Sequence, residues 1–421
     1  MVKTISLVAR IGLFALVLSL GTLAALIVGE TQGLALADLS GTPVQLMATA
    51  AHSDVMLAAL GDGSQAGGIY RSKDGGKSWQ RVSSGPGPAV NALAMHPTQH
   101  TVMYAGTAGG PMSTTDSLWR SSDGGTAWQK SLLSLPGSPN GLIPAVSALA
   151  IDPLQPGVLY VGTSGHGVYR FDTEPNRYGY QLMGGVSLYQ AHVKGLVVGP
   201  EGSLYSLTNE GIFLSQGGTW QELVVPEAVV SLAVGADDGE RLYIGGASTG
   251  IYRSTDGGQT WEQANRGIEM IPGAALRVTA LAVDQNDSRH VLAATSYGVG
   301  NRLAPGSVYK SDDGGYAWTR LAGVNGVVTQ LVLNQRGIYA ASEGGLAHYE
   351  LPPSLSPPTT LPEVRSGTLI SLLQEQNPLE RLSKPTGAQV LILALTVALA
   401  GLVLVGRAEW VLNKKSHTVL G

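Results

Sequence analysis

An all-β chain closed into a seven-bladed β-propeller is predicted, on three observations. Four near-identical octapeptides, Ser72–Trp79, Ser121–Trp128, Ser254–Trp261 and Ser311–Trp318, share the pattern Ser-x-Asp-Gly-Gly-x-x-Trp. Two strand-like segments recur seven times each, one apolar and one of Leu-Tyr-x-Gly-Thr type. The recurring unit is about 36 to 56 residues, the length of a four-stranded blade.

Each element follows from its residues. The apolar segments start at Val44, Val90, Val146, Val193, Val229, Val278 and Val328, and their valine-rich six-residue runs between Gly, Pro and Asp punctuation read as strands. Being apolar throughout, they are expected to line the crowded central channel. The second strands run Val55 to Leu60, Val102 to Thr107, Val158 to Thr163, Ser203 to Thr208, Arg241 to Gly246, Val291 to Ser296 and Gly337 to Ser342. A third strand ending aromatic-basic follows, as in Gly68-Ile-Tyr70-Arg71 and Gly250-Ile-Tyr252-Arg253. The octapeptide then forms a hairpin turn. Ser72, Ser121, Ser254 and Ser311 open it; Asp74, Asp123, Asp256 and Asp313 cap backbone N–H groups; Gly76, Gly125, Gly258 and Gly315 take positive φ; Trp79, Trp128, Trp261 and Trp318 pack the returning strand. The third blade keeps only Arg170-Phe-Asp172, the fourth has the shortened Ser215-Gln-Gly-Gly218-Thr-Trp220, and the seventh ends without an octapeptide. Its outer strand is either missing or supplied by a flanking segment.

The octapeptides resemble the Asp-box, or BNR repeat, of sialidases, sortilin-type receptors, xyloglucanases and photosystem II assembly factors. The resemblance covers the propeller, residues 44–351, and implies turn-capping rather than catalytic aspartates. It favours the non-enzymatic sortilin-type and assembly-factor-like branches. The Arg-Ile-Pro segment of sialidases is missing from the start of the first blade, and one ring stands where xyloglucanases pair two.

The ends carry different signals. Residues 1–37 combine Lys3 and Arg10, an uncharged run over 11–28, and Ala35-Leu-Ala37, which fits a cleaved signal peptide or an uncleaved anchor. Residues 352–386 open as a Pro-rich stalk. Residues 387–406 carry no charge and are long enough to cross a bilayer as a helix, and Arg407, Lys414 and Lys415 place the tail 407–421 in the cytoplasm. The propeller is thereby expected on the extracytoplasmic side of the cell membrane.

Composition narrows function. The formal charge is −4, and removing residues 1–37 leaves −5, against the basic face nucleic acid requires. With no cysteine there is neither thiol catalysis nor a thiolate metal site. His96 and His100 sit in a proline-containing turn rather than on one helical face, so no metal or cofactor is expected. Binding is expected on the face made by the loops joining strands two and three, opposite the octapeptides, with Asp62, Met112, Asp116, His166, Glu210, Tyr297, Arg302 and Glu343 as candidates and a protein or glycan as ligand. Two loops are long there, Gly109 to Leu118 and Tyr297 to Gly306. The reading is a non-catalytic platform. The alternative is a glycoside hydrolase using two of Asp62, Asp116, Glu210 and Glu343 at about 5–9 Å, with Tyr297 stacking on sugar.

Overall fold

The computed structural model describes residues 35–349, except 37–38, 40, 51–52, 62–66, 83–84, 88, 109–116, 132, 134, 136–143, 174–178, 184–187, 189, 236–239, 285 and 335. The leader, stalk and membrane-span readings, save Ala35–Leu36, lie outside the described residues, among which no helix is long and apolar enough to cross a membrane.

Seven antiparallel sheets follow one another along the chain, each in sequential strand order from its innermost strand outward: a seven-bladed propeller. The inner strands are Val44–Thr49, Val90–Met95, Val146–Ile151, Val193–Val198, Val229–Val234, Ala275–Val283 and Val328–Asn334. All seven carry a register shift after their first conserved valine, a β-bulge that the sequence pattern did not announce. The bulge gives the inner strand a job between blades. Ser147 Oγ donates to the Val193 carbonyl (2.6 Å), and Ser231 Oγ to that of Val278 (2.9 Å). Glycines of the second strand admit the same valines: a Cβ on Gly106 would lie 2.2 Å from Val146, and one on Gly162 2.5 Å from Val193.

One expectation is corrected. The continuously buried strand is the second, as in Met56–Leu60, Val158–Thr163 and Gly337–Ser342, whereas Gln45, Asn91 and Lys194 of the inner strands are exposed. The second strand has a strand on either side and a neighbouring blade on either face. The inner strand has an open edge on the channel.

The octapeptides turn the third strand into the fourth. Ser72 Oγ donates to Asp74 Oδ1 (2.8 Å) and accepts the Gly76 N–H (2.7 Å), and Asp74 Oδ1 accepts the Ser78 N–H (2.9 Å). Ser121, Ser254 and Ser311 repeat the arrangement. Both glycines take positive φ, for example 70° and 85° at Gly75 and Gly76, which L side chains rarely adopt. Burial pushes the Asp74 carboxyl up, but the hydrogen bonds from Ser78 and Ser72 outweigh it and hold the pKa at about 2. For Asp256, hydrogen bonds from Thr260 and Ser254 do the same, again to about 2.

The ring closes by contacts of blade 7 with blade 1. Gln330 and Met47 exchange two hydrogen bonds, Arg336 grips Asp54 through two nitrogens (2.8 and 2.7 Å), and the Gly41 N–H reaches the Gly344 carbonyl (3.0 Å). Blade 7 has three strands among the described residues. Ala35–Leu36 extends blade 1 as a fifth strand against Trp79 and Gln80, so the ring begins ahead of residue 44.

Candidate functional site

The predicted binding face carries one large departure from the repeat. In blade 6 the second and third strands lengthen to Val291–Val299 and Arg302–Ser311, and the inner strand starts at Ala275 to pair with them. What reads as a long loop, Tyr297 to Gly306, is therefore a β-hairpin crest. Strand alternation through Ser296, Gly298 and Gly300 was interrupted enough in sequence to hide it. The crest exposes Val299 and Leu303, and the preceding interblade segment exposes Met270 and Ile271. The pairing of Ala275 with Gly298 and of Gly298 with Leu303 brings these segments side by side.

Arg302 is exposed at the crest, as expected of a binding residue. Tyr297 is not available on the surface: it is 5% exposed and its hydroxyl donates to the Glu269 carbonyl (2.9 Å). Burial, with Tyr309 adding to it, pushes its phenol up to about 12. Its ring holds the interblade segment and cannot stack on a sugar, because alternation turns it into the core. His166 lies in the blade 3 turn, with Nδ1 3.4 Å from the Ser164 carbonyl. Glu210 and Glu343 are exposed in the corresponding turns of blades 4 and 7, on opposite sides of the ring. Asp62, Met112 and Asp116 lie outside the described residues. Among the described candidates, Tyr297 and Arg302 share the blade 6 hairpin, whereas His166, Glu210 and Glu343 stand apart in the turns of blades 3, 4 and 7.

An acidic residue the sequence did not mark lies on the same face. Glu227 accepts from the backbone and hydroxyl of both Ser248 and Thr249, so its carboxylate is fully engaged in fixing the blade 5 loop. His96 is likewise structural: its Nδ1 accepts the Gln99 N–H (2.9 Å). Among the described residues no group of three His, Asp or Glu side chains is placed to hold a metal ion.

On the octapeptide side, a cavity of about 820 Å³ opens in the seam between blades 4 and 5. Its walls come from the Pro200–Gly202 turn, the blade 4 hairpin around Gly217, and the octapeptide turn of blade 5 from Thr255 to Gln259. The blade 4 hairpin is a two-residue Gly217-Gly218 turn with φ of 59° and 87°, closed between Gln216 and Thr219. It occupies less of the seam than an octapeptide does. Glu240 and Asp256 make the walls acidic, and Val224, 83% exposed, adds an apolar rim.

No protein-family model matches the chain, and no curated protein matches it by sequence. Solved structures match by fold. An ancestral GH74 enzyme aligns with a TM-score of 0.55 at 16% identity over 72% of this chain and 44% of its own length. YCF48 bound to a D1 peptide aligns with a TM-score of 0.55 at 15% identity over 77% of this chain and 96% of its own. The extracellular domain of a hybrid two-component system from B. thetaiotaomicron aligns at 0.53 and 13% identity over 73% and 38%. The chain thus spans less than half of the GH74 enzyme and is matched by nearly all of YCF48. At these identities the likeness is one of fold.

Proposed function

We propose that the protein is a non-catalytic binding or assembly platform that holds a protein client on the face bearing the blade 6 crest, tethered to the membrane through residues 387–406 with the propeller on the extracytoplasmic side. We further assign the octapeptides to the Asp-box repeat, on the strength of the shared Ser–Asp–Gly hydrogen bonding in all four copies. The observation that carries the platform reading is the crest: Met270, Ile271, Val299 and Leu303 exposed together where blade 6, among the described residues, outgrows the repeat. A solved propeller of this fold, YCF48, holds a peptide of D1, which supports a protein rather than a glycan as client. The wide separation of Glu210 from Glu343 around the ring and the engagement of Glu227 support a non-catalytic role.

Photo-crosslinking from positions 299 and 303 in native membranes tests the reading. A recurrent protein partner, lost in Val299→Asp/Leu303→Asp, is expected; crosslinks scattered over unrelated proteins and unchanged in the variant contradict it. The catalytic alternative is tested by a chromogenic glycoside screen on the purified propeller, where no turnover is expected and turnover abolished by Glu210→Gln or Glu343→Gln establishes an enzyme.

A further inference from the structure

The ring contains its own precedent for what fits the cavity between blades 4 and 5. At the other seams where an octapeptide turn meets the preceding blade, that blade sends a cation against the turn. Arg71 of blade 1 donates to Thr126 Oγ1 (2.6 Å), and a Cβ on Gly124 would lie 3.0 Å from its Nη2. Arg253 of blade 5 donates to the Gly314 carbonyl (3.1 Å) and lies over the Tyr316 ring (3.1 Å). Arg336 of blade 7 lies 3.4 Å from the corresponding point on Gly75. These arginines come from two positions of the repeat: the basic residue of the third strand, and the residue two before the second strand's first buried apolar side chain.

In blade 4 those positions hold Leu214 and Gly202. Both line the cavity, neither is a cation, and a Cβ on Gly257, the equivalent of Gly75, Gly124 and Gly314, would meet nothing within 4 Å among the described residues. The turn itself is unaltered: Ser254, Asp256 and Gly258 make the same bonds as in the other copies. The surface that elsewhere receives an arginine is therefore preformed here and faces a cavity of about 820 Å³ with acidic walls. That volume falls in the range of ligand pockets, roughly 300–1,000 Å³.

We propose that the blade 4–blade 5 seam is a peptide site that takes an arginine side chain from an extended segment of a partner protein. The guanidinium lies against the Gly257 carbonyl, between Asp256 and Glu240, whose backbone carbonyl accepts the Gly257 N–H (2.9 Å), in the pose that Arg253 adopts against Gly314. The flanking peptide runs over the Gly217-Gly218 hairpin and the Val224 rim, where small residues leave backbone within reach. Arginine suits the site better than lysine because a planar guanidinium both donates to a carbonyl and spans two carboxylates. The assignment rests on the platform reading for its partner class, but it adds a second contact on the opposite side of the ring from the crest.

The test uses the purified propeller with its flanking segments and a fluorescein-labelled nonapeptide of serine and valine bearing one central arginine, with glutamine and lysine counterparts. Fluorescence anisotropy at low salt is expected to show the arginine peptide binding at least about tenfold tighter than the glutamine peptide. Leu214→Arg, which supplies the missing cation from within, is expected to weaken arginine-peptide binding by at least about tenfold while keeping the native circular dichroism. Equal affinity for arginine and glutamine peptides, or unchanged binding in a folded Leu214→Arg protein, overturns the proposal. Should Leu214→Arg not fold, the surface variant Glu240→Gln decides: a several-fold loss for the arginine peptide alone supports the site, and no loss overturns it. The two readings fail separately. A client crosslinked through the crest with no arginine preference in the seam removes the seam site alone, and arginine-selective binding without a crest client removes only the crest.

Discussion

The seam between blades 5 and 6 and the seam between blades 4 and 5 are built from equivalent positions, yet one is filled from within and the other is open. In the first, Arg253 is 4% exposed, reaches the Gly314 carbonyl and pairs with Glu262 (2.5 Å). Trp318 completes it, 4% exposed, donating from Nε1 to the Ala264 carbonyl (2.7 Å). In the second, Leu214 replaces the arginine, and Trp261 is only partly buried with its Nε1 unbonded. The difference teaches that in a repeat protein the octapeptide is half of an interblade joint, whose other half is written one blade earlier in the chain.

That comparison can be broken most sharply at the tryptophans. Trp318→Ala is expected to cost about 3–5 kcal/mol, as for a fully buried aromatic, whereas Trp261→Ala costs less because its ring is partly solvated and loses no hydrogen bond. Urea midpoints of the two variants check the order, and equal losses would mean the seams are energetically alike. Next in size, Arg253→Leu turns the closed seam into a copy of the open one. It is expected to lose about 1–3 kcal/mol through the buried hydrogen bond and the contact with Tyr316. Leu214→Arg, the reverse change, is expected to cost about 1–2 kcal/mol, since it removes a leucine buried in the core cluster with Leu223 and Leu242.

A smaller effect separates the crest from the seams. Tyr297→Phe removes the bond to Glu269 and is expected to cost about 1 kcal/mol, with faster amide exchange confined to residues 265–274. The smallest concerns pH. The Asp74 and Asp256 carboxyls are held at about 2, below the unfolded value of about 3.9, so their contribution is present above about pH 4 and is lost as pH falls toward 2. Asp256 has no arginine across its seam, so its local hydrogen bonds alone set the shift. Asp74→Asn and Asp256→Asn should therefore flatten the acid limb of the thermal midpoint equally. A clearly larger effect at Asp74 would assign the shift to the seam cation Arg336 instead.

Blade number and strand order were legible because apolar runs, Tyr-x-Gly segments and octapeptides recur in chain order, and each blade is a local meander. The bulge in every inner strand was not legible, since Gln45, Asn91, Ser147 and Lys194 share no side-chain chemistry, only the place after the bulge's valine. The crest is hidden in the sequence because glycines mask its alternation, and Tyr297 reads as a surface ring because strand phase does not carry across Gly298 and Gly300. The seam cavity was hidden for a different reason. Its signal, Leu214 where Arg71 and Arg253 stand in other blades, was present in the aligned repeats, but its meaning depends on which turn the arginine touches. That partner lies in the next blade, some 55 to 61 residues downstream.

The most direct measurement is a crystal structure of the propeller soaked with N-acetyl-arginine amide. The guanidinium is expected within hydrogen-bond distance of the Gly257 carbonyl, superimposable on Arg253 at Gly314 when blade 5 is overlaid on blade 6. Arginine bound elsewhere on the ring with the seam empty would contradict it.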